Sequence, residues 1–277
     1  MKIENCSALI TGASAGIGRE FARQLANRAH TLVLVARREQ RLNELRDELL
    51  NGNARLNVHV RVADLCDKSQ IDELVAWLKQ TKIDIDFLIN NAGLGDYGSF
   101  ATSPLERDDE MLQVNVVVPT TLTRRLLPQM VARKRGAILN VSSSAGFLPI
   151  PGMAVYAASK AYVNSFSEAL RAELSGTGVT VTALCPGPVH TEFGDVAKRP
   201  SGEPERGPEF VYVSAEKTVR DALAAIEADK PLVIPGLAMK LGMFLVRLTP
   251  MSILRLAWRL GAKRRQNKSG GRNRPPL

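Results

Sequence analysis

Short runs of aliphatic and β-branched residues alternate along the chain with longer segments in which apolar residues recur every three or four positions. A short apolar run predicts a buried strand, and a period near 3.6 predicts a helix with one buried face. Strands are predicted at Cys6–Ile10, Thr31–Val35, Asn57–Val62, Phe87–Asn90, Ala137–Val141, Val179–Leu184 and Pro231–Ile234. Helices are predicted at roughly 17–28, 39–50, 68–81, 105–134, 153–175 and 215–228.

Strands that alternate with helices are typical of α/β proteins with a parallel sheet. The sequence therefore predicts an α/β, doubly wound Rossmann fold with a seven-stranded parallel sheet, formed as a single domain by residues 1–236. Apolar residues continue at helical spacing after that point, which predicts a helical extension over 237–262. The remaining residues, 263–277, have the composition of a disordered basic tail.

Charge divides the chain in nearly the same place. The 277 residues have a formal net charge of +9, and residues 231–277 contain ten Lys or Arg and no Asp or Glu. The first 230 residues are thus almost neutral, with 27 basic and 28 acidic side chains. A basic tail suggests an anionic membrane surface or a nucleic acid as partner. Nucleic acid is disfavoured because residues 263–277 contain no aromatic side chain for base stacking.

The N-terminus and the cysteines bear on the compartment. Residues 1–5 lead directly into the first strand without the pattern of a signal peptide, so we expect a cytoplasmic protein. Cys6, Cys66 and Cys185 are odd in number and widely spaced, so we expect free thiols and no metal site.

The first predicted strand ends in a glycine-rich turn, TGASAGIG at residues 11–18. Glycines permit a tight turn and let a pyrophosphate approach the backbone amides at a helix N-terminus. The spacing is G-x-x-x-G-x-G, which differs from the commonest dinucleotide fingerprint. By itself the motif fits either a phosphate cradle or a simple turn.

The second predicted strand ends in Ala36-Arg37-Arg38, where dinucleotide-binding folds contact the adenosine ribose. A carboxylate there would bind the 2′-hydroxyl of NAD, whereas a guanidinium would pair with the 2′-phosphate of NADP. The segment has two arginines and no carboxylate before Glu39. The segment therefore favours NADP(H). The alternative for Arg38 is that it is only a solvent-exposed residue at the start of a helix.

Tyr156 and Lys160 are four residues apart and lie on one side of a helix. A free tyrosine has a pKa of ~10 and is a poor acid or base near neutrality. A nearby ammonium group would lower that pKa. The pair alone fits an acid–base centre or a packed ring beside a solvated lysine.

Taken together, the motifs resemble the short-chain dehydrogenase/reductase family over roughly residues 4–235. The matching positions are TGASAGIG at 11–18, Asp64-Leu65, Asn90–Gly93, Asn115, Asn140–Ser143, Tyr156 with Lys160, and Pro186–Thr191. The resemblance implies an oxidoreductase that transfers a hydride between a nicotinamide and a carbonyl or alcohol.

The resemblance also implies the catalytic roles. Ser143, thirteen residues before the tyrosine, would polarise the substrate carbonyl. Tyr156 would be the general acid in reduction and the general base in oxidation. Lys160 would lower the pKa of Tyr156 and bind the nicotinamide ribose, and Asn115 would hold a water that relays protons to solvent.

Further positions are implied to contact NADP(H). Gly12, Ser14, Ile17 and Gly18 would border the pyrophosphate and ribose, Arg37 and Arg38 the 2′-phosphate, Asp64 and Leu65 the adenine, Asn91 the adjacent ribose, and Thr191 the carboxamide. Many NADP-binding relatives have a basic residue where this chain has Ala15. The prediction of a 2′-phosphate site therefore depends mainly on Arg37, with Arg38 as support.

The segments that frame the substrate in this family are 145–153 and the stretch from Glu192, and both are largely apolar. They predict a hydrophobic ketone, aldehyde or secondary alcohol, similar to a lipid or steroid. Glycines and prolines in 194–212 predict a mobile lid. The family resemblance implies a homodimer or homotetramer built partly on the helices that contain Asn115 and Tyr156.

Two questions stay open from the sequence. The extension is similar to those of several reductases that act on lipids or steroids, and it fits either a helix pair on an anionic membrane surface or a helix packed on its own or a neighbouring subunit. Neither apolar run is long enough to predict a transmembrane helix. The alternative function is a dinucleotide-sensing regulatory or binding protein, anchored by its basic tail. All four catalytic side chains are present, which counts against it.

Overall fold

The computed structural model describes residues 3–197 and 209–270, with the side chains of 261–270 left out. Seven strands form one all-parallel sheet in the order β3-β2-β1-β4-β5-β6-β7, which confirms the predicted fold class. The strands are β1 Cys6–Thr11, β2 Ala29–Ala36, β3 Asn57–Val62, β4 Phe87–Asn90, β5 Gly136–Val141, β6 Val179–Leu184 and β7 Leu232–Val233.

Helices cover both faces of the sheet. They are α1 Gly16–Leu25, α2 Glu39–Gly52, α3 Lys68–Gln80, α4 Leu105–Leu112, α5 Val118–Ala132, α6 Ala154–Glu173, α7 Phe193–Val196, α8 Ala215–Glu227, α9 Leu237–Leu248 and α10 Met251–Gly270. One apolar core lies between the sheet and α1, α2 and α8, and a second lies between the sheet and α3, α5 and α6. Strands covered on both faces are apolar throughout, which is why they read as continuous runs in the sequence.

The topology fixes where a site can form. From β1 the chain moves to β2 and β3 on one side, and from β4 it moves to β5, β6 and β7 on the other. The loops that leave the carboxyl ends of β1 and β4 therefore part in opposite directions. In open α/β sheets a crevice opens at such a switch point.

The predicted helix 105–134 is wrong as a single α-helix. A π-helical segment, Gln113–Val117, separates α4 from α5. Pro119 provides the physical reason: it has no N–H to donate to the carbonyl of Asn115, and its ring would clash with that carbonyl in an α-helix. π-Helical turns inside longer helices occur frequently at functional sites.

The extension differs from the body in its packing. All of α9 and the described side chains of α10 are exposed or only half-buried, and Leu237, Phe244 and Leu256 are 72%, 61% and 57% exposed. Within the described residues no single helix has the length and apolar character to cross a membrane; the pair Leu237–Leu248 and Met251–Leu260, bent by 108°, meets those two criteria only when taken together.

Two predicted segments have different bounds in the structure. The helical extension was predicted to end at residue 262, but α10 continues to Gly270 because residues 262–269 include neither glycine nor proline to stop it. Residues 271–277 of the predicted tail lie outside the described residues. So do residues 198–208, which form most of the predicted lid at 194–212.

Candidate active site

Loops from the carboxyl edge of the sheet enclose a cleft of about 660 Å³. Of the fourteen site residues predicted from the sequence, all of them described in the structure, the following twelve line it: Gly12, Ser14, Ile17, Arg37, Arg38, Asp64, Leu65, Asn91, Ser143, Tyr156, Lys160 and Thr191. Gly18 and Asn115 complete the fourteen and lie behind this surface. The structure thus brings together residues that are widely separated in sequence.

The glycine turn is held by close packing. Gly12 has φ +68°, and a Cβ there would lie 2.9 Å from the Cα of Ala92. A Cβ on Gly18 would lie 2.4 Å from the carbonyl oxygen of Gly12 and 2.4 Å from the side-chain Nδ2 of Asn91. Gly18 is therefore required for packing of the turn, not for a surface that a ligand touches.

Asn91 holds the same turn from the β4 side. Its Nδ2 donates to the carbonyls of Thr11 and Gly12 at 2.8 and 3.3 Å. The Thr11 hydroxyl in turn accepts from the backbone N–H groups of Asn91 and Ala92 at 2.9 and 3.0 Å. The amide of Asn91 thus fixes the backbone beside the cleft.

The turn fits a dinucleotide. Helix α1 begins here with Ala15 as its N-cap, and this residue supplies no side-chain acceptor for the first backbone N–H groups of the helix. Such groups are available to an anion and are favoured by the helix dipole. Any side chain at Gly12 would meet the β4 loop, so the turn keeps a bare backbone surface. These features match what a pyrophosphate requires.

The two arginines after β2 differ in their surroundings. Arg37 is 59% exposed, with its Nη1 3.9 Å from Oδ2 of Asp64. Arg38 donates from Nε to the Ser14 hydroxyl at 3.2 Å and from Nη1 to Glu192 at 3.0 Å. Arg38, which the sequence analysis gave only a supporting part, is the arginine that contacts the glycine turn.

Tyr156 and Lys160 lie on adjacent turns of α6 and are almost fully buried, at 7% and 4% exposure. The Lys160 Nζ donates to the carbonyl of Val141 at 3.0 Å and lies 5.7 Å from the centre of the Tyr156 ring. Ser143, two residues after the end of β5, lies beside Tyr156 and acts to lower the pKa of its phenol. A phenol, a hydroxyl and an amine therefore meet at one point of the cleft.

Burial dominates the protonation of this centre. Desolvation raises the pKa of Tyr156 to about 12, and the neighbouring Ser143 side chain acts in the opposite direction. Desolvation also lowers the pKa of Lys160 to about 8. The sequence analysis expected Lys160 to lower the pKa of the phenol. In the structure the pKa of the phenol is raised, because burial removes the phenolate from water.

Asn115 is buried in the π-helical segment, and its amide is fully engaged with protein. Its Oδ1 accepts from the N–H of Leu94, and its Nδ2 donates to the carbonyl of Leu94, both at 2.9 Å. Nδ2 also donates to the hydroxyl of Ser159 at 3.0 Å. With both amide hydrogens used, the side chain serves to join the loop after β4 to helix α6.

Sequence reasoning missed the parts played by four residues. Ser159 donates to the Tyr156 carbonyl at 2.7 Å and so links Asn115 to the turn that carries the tyrosine. Met239 and Met243 of α9 line the cleft, and their spacing of four residues was the available signal. Glu192 contacts Arg38 across a separation of 154 residues in the sequence, and no local pattern indicates that contact.

The substrate side of the cleft is largely apolar. Its lining includes Leu148, Ile150, Met153, Phe193, Met239 and Met243. The Phe193 ring is tilted against the Tyr156 ring, with 5.7 Å between their centres. An apolar group would therefore be placed next to the phenol.

Comparison with known proteins agrees with this geometry. The short chain dehydrogenase family model matches residues 7–200. The chain belongs to that family. Its resemblance to the NADP-dependent 3-hydroxy acid dehydrogenase YdfG of Escherichia coli K12 is 37% identity over 223 residues, which is 80% of this chain and 84% of the relative.

Two solved structures extend the likeness to α9 and α10. An enzyme from Sphingobium yanoikuyae in complex with NADPH has a TM-score of 0.77 and 30% identity, covering 98% of this chain and 97% of that chain. The bulky-bulky ketone specific alcohol dehydrogenase of Comamonas testosteroni has a TM-score of 0.72 and 29% identity, covering 96% and 94%. The predictions of family, fold and NADP(H) as cofactor are confirmed at this level.

Proposed function

We propose that this protein is an NADP(H)-dependent oxidoreductase that interconverts a ketone or aldehyde and an alcohol on a hydrophobic substrate, with Tyr156 as the general acid and base. The observation that carries the proposal is that the buried Tyr156 and Lys160 and the half-buried Ser143 line one cleft beside an apolar wall. When bound, the nicotinamide would supply or accept the hydride.

The side chains divide the remaining work. Ser143 would donate to the substrate carbonyl oxygen, and Tyr156 would give its proton to the same oxygen as negative charge develops there. With a pKa of about 12 the phenol keeps its proton at neutral pH, which suits an acid that reacts only with a stronger base. The ammonium of Lys160 would stabilise the phenolate that remains.

Asn115 would support this centre indirectly. Its side-chain amide is used by Leu94 and Ser159, so a relay water would have to bind elsewhere. Its main-chain carbonyl is the group that Pro119 prevents from making the usual α-helical hydrogen bond. We propose this carbonyl as the water site, with Lys160 as the neighbour that exchanges protons.

Cofactor recognition would use the opposite half of the cleft. The glycine turn and the start of α1 would hold the pyrophosphate, with Gly12 and Ile17 at its border. Arg38 and Ser14 would hold the 2′-phosphate, and Arg37 would add charge beside it. Asp64 and Leu65 would border the adenine, with Asn91 near the ribose and Thr191 near the carboxamide.

Binding and turnover test the proposal. We expect NADPH to bind more tightly than NADH, and bulky aryl ketones to be reduced faster than a short 3-hydroxy acid is oxidised. Fluorescence titration would measure cofactor binding, and NADPH absorbance would measure the rate of turnover. Lack of NADPH binding would contradict the cofactor assignment. Binding without turnover over a broad carbonyl panel would favour the alternative, a dinucleotide-sensing regulatory protein.

A second proposal concerns the extension, which we assign to an anionic membrane surface. Along α9 and α10 the described cations Lys240, Arg247, Arg255 and Arg259 accompany exposed Leu241, Phe244, Leu248 and Leu256, and residues 237–260 include no acidic side chain. Apolar residues combined with cations favour anionic lipid interfaces. Met239 and Met243 of the same helix line the cleft, which would give a lipid-borne substrate a short path.

Vesicle flotation distinguishes this proposal from packing against another subunit. The protein should float with phosphatidylglycerol vesicles and not with phosphatidylcholine vesicles. The double variant Arg255→Gln/Arg259→Gln should lose most of that binding, whereas Arg220→Gln on α8 should not. The packing alternative would be favoured if the protein does not float with vesicles and instead forms a homodimer or homotetramer that dissociates in the double variant.

A further inference from the structure

Glu192 connects the two sides of the cleft. It directly follows Thr191 and caps the N-terminus of α7, on the substrate side. Its Oε2 accepts from Nη1 of Arg38 at 3.0 Å, and its Oε1 accepts from Nη1 of Arg41 at 2.6 Å. Both arginines lie at the start of α2, on the cofactor side. The carboxylate thus bridges the substrate and cofactor halves.

The bridge uses the arginine that contacts the glycine turn. Arg38 donates to Glu192 through one nitrogen and to the Ser14 hydroxyl, at 3.2 Å, through another. The hydrogen bonds that Glu192 accepts from Arg38 and Arg41 lower the pKa of its carboxyl group, so the group is an anion at neutral pH. Glu192 therefore already supplies Arg38 with a negative partner.

A phosphate monoester is a stronger partner for the same guanidinium. It carries a charge of about −1.5 to −2 near neutrality and offers three acceptor oxygens, against a single charge on a carboxylate. Arg41 contacts both oxygens of Glu192, at 2.6 and 2.8 Å, and can keep the carboxylate when Arg38 leaves. The cluster thus permits an exchange of partners without leaving a charge unpaired.

The segment that Glu192 begins leads to the catalytic centre. The next residue, Phe193, has its ring 5.7 Å from that of Tyr156. The other end of α7 is fixed separately, because Arg107 donates to the carbonyl of Val196 at 2.7 Å and to that of Gly95 at 2.9 Å. Loss of the Arg38 hydrogen bond would therefore leave the start of α7, which carries Phe193, held across the cleft by Arg41 alone, while the far end stays attached.

We propose that Glu192 is an internal competitor of the 2′-phosphate for Arg38, and that binding of a 2′-phosphate loosens the start of α7 beside Tyr156. The inference rests on the proposed use of NADP(H) and of Arg38. It makes Glu192 a determinant of cofactor selectivity that acts through Arg38. Part of the binding free energy of NADPH is used to break the hydrogen bond between Arg38 and Glu192, and a cofactor without a 2′-phosphate leaves that bond in place.

Glu192→Gln tests the competition because it removes the charge and keeps the shape. NADPH and adenosine 2′,5′-bisphosphate should bind the variant about 3- to 5-fold more tightly, the effect of one half-exposed ion pair. NADH and AMP should change less than about 2-fold by the same reasoning. Glu48→Gln is the matched control: it removes a carboxylate from Arg19 and Arg23 without touching Arg38.

Hydrogen exchange of the peptide around 191–197 gives a second readout that needs no turnover. Adenosine 2′,5′-bisphosphate should raise exchange there in the wild type, and Glu192→Gln should show the raised exchange without ligand. Weaker NADPH binding by the variant, or equal changes for all four ligands, would overturn the inference. If the wild type binds no NADPH, the proposed function fails. Comparing hydrogen exchange in the unliganded wild type and the unliganded Glu192→Gln variant still tests whether Glu192 holds the start of α7.

Discussion

The two ends of the cleft are built on different principles. At the catalytic end, Tyr156 and Lys160 are at most 7% exposed, and Lys160 is bonded to the backbone of β5. At the other end, Arg37, Arg38 and Glu192 are 45–59% exposed and pair with neighbouring charges. At the catalytic end, desolvation shifts the pKa values of the buried groups. At the exposed end, the charged side chains can change partners.

This difference separates rate from affinity. Buried polar groups held by the protein are oriented before reaction, which favours transition-state stabilisation and makes their loss severe. Half-exposed ion pairs contribute only ~0–1 kcal/mol each and exchange readily. Substitutions at the buried end should therefore change turnover and stability. Substitutions at the exposed end should change cofactor affinity and its dependence on salt.

The largest effect is expected for Tyr156→Phe. Loss of the proton donor should lower kcat by about 10³-fold, within the range for a general acid, while the Kd for NADPH changes less than ~2-fold. Steady-state kinetics with a bulky ketone and fluorescence titration would measure the two. Tyr162→Phe, on the exposed side of the same helix, is the control. A variant that keeps a tenth of the wild-type rate would remove Tyr156 from its assigned role.

Lys160→Met should separate activity from stability. The rate should fall by ~10²-fold with loss of the cation, yet at pH 7 the unliganded variant should be more stable by ~1–2 kcal/mol, since a buried charge is replaced by an apolar chain. Urea unfolding measures that difference. Lys217→Met, at an exposed position of α8, is the control.

The stability difference should depend on pH. The pKa of Lys160 is about 8 in the folded protein and ordinarily 10.5, so the unfolded chain binds more protons between these values. Wild-type stability therefore gains from this group as pH rises from about 8 to 10.5, and Lys160→Met lacks that gain. The two proteins should converge in that window. A gap that stays constant, or widens, would contradict burial of the charge.

Prediction from sequence succeeded where signals are local. Apolar runs such as Phe87–Asn90 are buried because helices cover both sheet faces. The resemblance to the family, carried by local motifs, placed Ser143 and Lys160 in one site, and both line the cleft. The π-helical segment was not predicted, because the helical pattern of apolar residues continues through it to Pro119. The hydrogen bonds of Asn115 with Leu94 and of Glu192 with Arg38 were not predicted, because these pairs are brought together by tertiary contacts that no sequence period encodes.

The smallest effects should separate Arg38 from Arg37 at the exposed end. Arg38→Gln should weaken NADPH binding about 10-fold, the loss of a charge-assisted hydrogen bond, and should flatten its salt dependence. Arg37→Gln should weaken it only ~2- to 3-fold, because Arg37 is 59% exposed and acts through a screened charge. NADH binding should change little in either variant. If Arg37→Gln has the larger effect, the contact between Arg38 and Ser14 is structural, and the assignment favoured by the sequence is restored.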